Sequence, residues 1–251
     1  MTSVIPPDAG TPNGDGAASK PPKSTKLVLV RHAVTAQTGP LLSGRTPGID
    51  LSDTGIEQAR GVAERLGAFD IAVVYASPIE RTRQTAEHIA DAHGLGVREL
   101  PGVLEADYGE WTGGQIAELA KTDLWKTVQV APSRARFPGG ESISEMQARM
   151  VAALETLVSL HPGETIVVVS HADPIKAAIA YYTGLALDLF QRIVVSPASV
   201  TIFDVGPWGA TLLACNDTGR LEELLGKPEP RAETAEETGA EGNAEPIKES
   251  A

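Results

Sequence analysis

"LVLVRHAVTA", residues 27–36, opens with four apolar residues and places Arg31 and His32 where that run stops. "IVVVSHADP", residues 166–174, repeats the arrangement and ends on His171. A short unbroken apolar run reads as a strand covered on both faces, the condition of strands inside a parallel sheet. In such sheets the loops leaving the carboxyl ends of the strands form the ligand crevice. Arg31, His32 and His171 are therefore expected to face a ligand.

Working outward, further strands are predicted at Ile71–Tyr75, Val97–Leu100, Val200–Val205 and Thr211–Cys215, beside Lys26–Val30 and Thr165–Val169. Helix starts are signalled by "TGIE" from Thr54, "SPIE" from Ser77 and "SISE" from Ser142, each a hydroxyl residue followed three positions later by Glu. Pro78 and Pro174 fit a first helical turn, which has no use for the missing N–H. On the third of these helices Glu145 and Arg149, four apart, suggest a surface ion pair. The alternation of strand and helix predicts an α/β fold, a mostly parallel central sheet with helices on both faces. "YASPIERTRQTA" places Arg81 in the first turn of the second helix, beside amides that attract anions.

Composition limits what such a site can serve. The 251 residues, 42% of them hydrophobic, suit one globular unit at 26–225. Residues 1–25 and the acidic tail 226–251 are rich in Pro, Gly, Ala and Glu and carry too little apolar surface to offset the entropy of ordering. A net charge of −12 argues against a general nucleic-acid or anionic-membrane binder. Cys215 is the only cysteine, and no run reaches the roughly 20 apolar residues of a membrane helix, so a cytoplasmic location is expected. Anion chemistry must then be local to the strand ends.

Two histidines and two arginines together suit a phosphoryl group. Guanidinium binds its oxygens in pairs, and a neutral imidazole is a nucleophile toward phosphorus. Arg31 and Arg81 would also hold His32 unprotonated by like-charge repulsion and stabilise charge that builds up during transfer. A metal site competes, but an arginine beside the ligand would repel a cation, and no HExxH or cysteine cluster accompanies the pair. His88, His93 and His161 read as surface residues, and no GxxxxGK[ST], GxGxxG or GxSxG stretch is present.

"LVLVRHAVTA", "YASPIERTRQTA", "LEADYGEWTG", "FPGGESISEMQAR" and "VVVSHADPIKAAI" together resemble, in order and spacing, the signatures of the histidine phosphatase superfamily, in the branch with phosphoglycerate mutases and broad-specificity phosphatases. The resemblance covers about residues 26–215. It implies a three-layer α/β/α sandwich, a small phosphorylated substrate, a phosphohistidine intermediate and no metal or other cofactor. It assigns His32 as nucleophile, Arg31, Arg81 and His171 as the phosphate pocket with Ala172 beside it, and Glu105 as the acid that protonates the leaving group. By chemistry alone Asp107 and Glu110 rival Glu105. "LLSGRTPGIDLSDTG" resembles the substrate loop and so places Ser43, Gly44 and Arg45 near the ligand, while Glu141 resembles a structural or rim position.

Two departures bear on function. Ala33 and Ala172 stand where family members often carry glycine, and the stretch from Glu105 to Pro138 is short for the clamp of a glycolytic mutase. The expected activity is metal-independent hydrolysis of phosphomonoesters. A phosphomutase on the same fold and a catalytically silent phosphoester-binding protein are the alternatives. Trp111, Trp125 and Phe137 are expected to pack in the core rather than on a ligand.

Overall fold

The computed structural model describes residues 23–219. Six strands form one sheet: β1 (Thr25–Arg31), β2 (Val73–Ala76), β3 (Val97–Glu99), β4 (Thr165–Ser170), β5 (Val200–Gly206) and β6 (Gly209–Asp217), in the order β3-β2-β4-β1-β5-β6. The first four in that order run parallel, and β5 joins β1 antiparallel, with β6 completing a hairpin at the edge. The expected mostly parallel α/β/α sandwich is present. All six predicted strands exist, each displaced by at most two residues at either end. The arms expected at residues 1–25 and 226–251 lie outside the described residues, except for residues 23–25, and Thr25 already belongs to β1.

The unbroken apolar run of β1 has a plain cause. Successive side chains of a strand point to opposite faces. Val28 and Val30 enter the core beneath α1 (Asp53–Leu66) and α2 (Glu80–Ala92). Leu27 and Leu29 enter the opposite core beneath α5 (Ile143–Leu160) and α6 (Ala172–Thr183). A third core lies under the segment carrying the short α3 (Ile116–Leu119) and α4 (Asp123–Val130), and gathers Tyr108, Trp111, Phe137 and Phe190 against α5 and α6.

Local signals fared unevenly. Ser142 and Glu145 form the reciprocal cap expected of "SISE". "TGIE" misplaces its helix, which starts at Asp53 with Ser52 Oγ accepting from Gly55 N at 3.2 Å. "SPIE" caps nothing: α2 follows Ile79, Pro78 lies outside it, and Ser77 has a tertiary partner described below. The expected Glu145–Arg149 pair does not form, because Glu145 binds Arg136 while Arg149 turns inward to Glu141. His161 is not a free surface side chain, since its ring lies between Tyr75 Oη at 3.0 Å and Glu164 Oε2 at 2.7 Å. Among the described residues no helix is long and apolar enough to cross a membrane.

Two glycines of α1 test this packing. A Cβ on Gly55 would meet the Val34 carbonyl oxygen at 2.1 Å, whereas one on Gly61 would meet nothing within 4 Å. Gly55→Ala should therefore lower unfolding free energy by about 1–3 kcal/mol through overpacking. Gly61→Ala should raise it by about 0.5–1 kcal/mol through helix propensity. Urea unfolding midpoints of the two variants, shifted in opposite directions from the parent, check both.

Candidate active site

Register builds the site. In the parallel β1–β4 pair Arg31 is opposite Ser170, so the next residues, His32 and His171, leave the sheet side by side. The ladder continues one step further, with His32 N donating to Ser170 O at 2.9 Å. On the other flank of β4, Ala76 of β2 is opposite Val169 and Ser77 N donates to Val169 O at 3.0 Å. Three strand ends thus meet, and Arg81 reaches them from the first turn of α2.

The hydrogen bonds fix both imidazoles. His32 Nδ1 lies 2.7 Å from the Ala33 carbonyl oxygen and must donate to it. Its Nε2 therefore carries the lone pair and accepts from Arg81 Nε at 3.2 Å. Arg81 Nη2 donates to Gly44 O at 2.7 Å and to His171 Nδ1 at 3.2 Å. Since arginine only donates, His171 bears its proton on Nε2 and gives it to Ser77 Oγ at 2.9 Å. The two rings stand edge to face with centroids 5.2 Å apart. Burial first, and Arg81 and Arg31 with it, push His32 well below the usual imidazole range, and His171 moves the same way. Both rings are neutral at physiological pH.

Guanidinium donors face this pair. Arg81 is 3% exposed, and its Nη1, like Arg31 Nε, has no protein partner among the described residues. Arg31 Nη1 is tied to Val195 O at 2.7 Å. Buried donors without acceptors are costly, at about 1–3 kcal/mol each. Both belong to guanidiniums of the cluster around His32, whose positive charge suits an anion.

Glu105 completes the cluster. Its carboxyl is buried, accepts from Ala106 N through Oε1 at 2.9 Å, and places Oε2 4.0 Å from His171 Nδ1. Burial and the Asp173 carboxylate push it up to about 7. The contact with His171 is consequently not an ion pair, because the imidazole is neutral and the carboxyl half-protonated near pH 7. Its backbone is clasped from two sides: the Glu105 carbonyl accepts from Arg45 Nε at 2.8 Å and Arg149 Nη2 at 2.9 Å. Glu141 bridges both guanidiniums and also accepts from Asp107 N at 2.8 Å.

A cavity of about 490 Å³ opens over these groups. Arg31, His32, Arg81, Glu105, Ser43, Gly44 and Ala172 line it, whereas His171, expected to face the ligand, is fully buried between Arg81 and Ser77 and does not. Arg45 does not: its side chain is committed to Glu105, Glu141 and Asp107, so it braces the site from behind. Asp107 is half exposed on Arg45 and Glu110 is exposed, and neither lines the cavity. Trp111 and Phe137 belong to the third core as expected, yet both also form cavity wall, and Trp125 lies beside Trp111. The Ala33 methyl is buried in the core with α1 and α2, so this departure from glycine leaves the cavity unchanged.

Sequence reasoning missed Ser77, Tyr108, Asp173 and Lys176. Tyr108 Oη donates to Asp173 Oδ2 at 2.9 Å, and Lys176 Nζ reaches Asp173 Oδ1 at 3.4 Å and Gln191 Oε1 at 3.1 Å. An acid two residues after His171, at the start of a helix, was a legible signal for Asp173. The local cap pattern concealed Ser77.

A family model, histidine phosphatase superfamily (branch 1), matches residues 27–218. The chain belongs to the histidine phosphatase superfamily. Phosphoserine phosphatase 1 of Hydrogenobacter thermophilus is 33% identical over 205 residues, 79% of this chain and 95% of that one. A protein named "Probable phosphoglycerate mutase GpmB" from Erwinia tasmaniensis is 31% identical over 79% of this chain and 95% of its own. A crystal structure of a mutant phosphoserine phosphatase from Entamoeba histolytica in complex with phosphoserine aligns with a TM-score of 0.70 at 29% identity, covering 77% of this chain and 98% of that one. Histidine phosphatase membership accounts for the sheet order and for the strand-end histidines together.

Glu105 makes the stability of the fold depend on pH. The folded chain keeps this proton up to about pH 7, while an unfolded Glu loses it near 4.5. Its contribution is intact below about pH 4.5 and lost as pH rises through 7, up to about 3 kcal/mol. His32 and His171 act with the opposite sign below pH 6.5. Unfolding free energies of wild type and Glu105→Gln, compared from pH 4 to 8, cancel the histidine contribution to first order. The difference should grow in favour of the Gln variant as pH rises.

Proposed function

We propose that this histidine phosphatase hydrolyses phosphomonoesters through a phosphohistidine on His32. The observation that carries the reading is the unprotonated Nε2 of His32 at the cavity, where it accepts from Arg81 and has the Arg31 guanidinium in the same wall.

In the first step the substrate phosphoryl oxygens bind the Arg31 and Arg81 guanidiniums that line the cavity. His32 Nε2 attacks phosphorus as the ester P–O bond breaks. Protonated Glu105 gives its proton to the departing oxygen, which leaves as the alcohol. In the second step a water attacks the phosphohistidine and the P–N bond breaks. That water's proton returns to Glu105, and inorganic phosphate leaves with His32 restored. The two arginines offset the charge that builds on the equatorial oxygens in both steps. His171, neutral and held by Ser77, acts from behind the cavity by positioning the Arg81 guanidinium. A carboxyl whose pKa is about 7 can serve in both directions at neutral pH.

A phosphomutase reading draws support from the GpmB relative. It differs in one measurable outcome: the phosphoryl group would pass to a second substrate hydroxyl faster than to water. A silent phosphoester-binding protein would bind phosphate and release none.

His32→Ala should lose at least about 10³-fold in kcat/KM and all acid-labile, alkali-stable label from a ³²P-substrate. Label retained by the variant would refute the nucleophile assignment. Glu105→Gln should slow alkyl phosphates far more than 4-nitrophenyl phosphate, whose leaving group needs no proton. For alkyl substrates, kcat/KM of the wild type should fall above about pH 7, and the Gln variant should lack that limb. Equal loss on both substrates would count against a proton donor.

A further inference from the structure

The phosphoserine phosphatases among the relatives are named for a small polar phosphoester, but the cavity of this chain has room for a larger leaving group. At about 30 Å³ per water, 490 Å³ holds on the order of sixteen waters, several times what a phosphoryl group displaces. About half of the remaining wall residues are apolar, and most of the others are threonine, serine, glutamine or glycine. Leu41 and Leu42 come from the loop after β1, Trp111 from the turn at residues 109–111, Ile116 from α3, and Trp125 and Val128 from α4. The Trp111 and Trp125 rings are stacked, with centroids 6.2 Å apart. Trp111 is 8% exposed and Val128 5%, so each is anchored in the third core and turns only part of its surface to the cavity.

Charge tells the same story. Apart from Arg31, Arg81 and Glu105, the charged side chains of the wall are Asp173 and Lys176, and these neutralise one another at 3.4 Å. Tyr108 and Gln191 satisfy them further. A substrate carboxylate beside the phosphate would find no uncommitted cation in this wall, and burying it unpaired would cost several kcal/mol. An apolar group would instead displace water from aromatic and aliphatic surface.

Resting on the phosphatase reading above, we infer that the leaving-group side of this site selects phosphomonoesters of bulky apolar alcohols, aromatic ones included, over phosphorylated amino acids and phosphorylated hydroxy acids. The α3–α4 segment is the specificity element, with the half-buried Trp125 its largest side chain.

The test compares three primary alkyl phosphates: 3-phenylpropyl phosphate, ethyl phosphate and O-phosphoserine. All have primary alcohols as leaving groups, so differences report on the wall more than on the chemistry. For the wild type, kcat/KM for the phenylpropyl ester should exceed each of the others by at least about 10-fold, mainly through KM. In Trp125→Ala the phenylpropyl-to-ethyl ratio should fall at least about threefold. Turnover of ethyl phosphate or phosphoserine as efficient as that of the phenylpropyl ester would overturn the inference and leave the phosphatase reading standing. Release of no phosphate from any of the three, or from 4-nitrophenyl phosphate, would overturn both.

Discussion

The parallel register of β1 on β4 is the constraint on which the site depends. It places Arg31 opposite Ser170 and so sends His32 and His171 out of the sheet as neighbours. A slip of one residue would exchange the two faces of β1, driving Val28 and Val30 into the core that Leu27 and Leu29 occupy. Both cores are closed by helices, so neither tolerates the exchange without voids or clashes. Burial on both faces therefore does more than stabilise the sheet: it fixes the separation of two imidazoles to within the reach of one guanidinium. Arg81 exploits this by donating to both rings at 3.2 Å.

That arrangement carries an electrostatic cost, and the surroundings limit it. Two buried arginines would repel one another and any imidazolium, and the histidines respond by staying neutral. Glu105 could neutralise part of the charge, yet its own burial and the Asp173 carboxylate keep it protonated for half the time near pH 7. Asp173 is in turn held by Tyr108 and Lys176. The result is a site that is short of negative charge in its resting state. A dianionic phosphoryl group supplies what is missing, and its binding therefore draws on interactions the empty fold cannot make for itself.

What the sequence revealed followed from how local each cause is. An apolar run that ends in Arg-His marks a strand end whatever surrounds it, so Arg31, His32 and His171 were legible, and Arg81 with them from its place in a helical turn. The capping pattern at Ser142 was also local, and it held. The same pattern at Ser77 failed because its hydroxyl is taken by His171, 94 residues away. Arg149 failed for the same reason: its i,i+4 neighbour Glu145 loses it to Glu141 and to three backbone carbonyls of residues 102, 104 and 105. The substrate loop divided likewise. Ser43 and Gly44 reach the cavity, while Arg45 is drawn behind it by two carboxylates and the Glu105 carbonyl. Tertiary competition for a donor leaves no periodic trace in a sequence.

In the proposed reading, chemistry and selectivity occupy different layers of this molecule. His32, His171 and the arginines hang from strand ends or a first helical turn next to them, fixed by the two large cores. The cavity wall that would meet the leaving group comes from the loop after β1 and from α3, α4 and the turn before them, the latter packed on a third core of their own. Substitution in that segment can reshape the leaving-group side without disturbing the β1–β4 register. Glu105 is the exception, since it stands at the start of the same segment and yet, as the proposed proton donor, must keep its distance from the reacting oxygen. Its carbonyl is gripped by Arg149 of α5 and by Arg45, with Glu141 locking the two guanidiniums together. The clasp ties the acid to the large α5 helix rather than to the short α3 and α4, so the wall can vary while the proton donor stays in place.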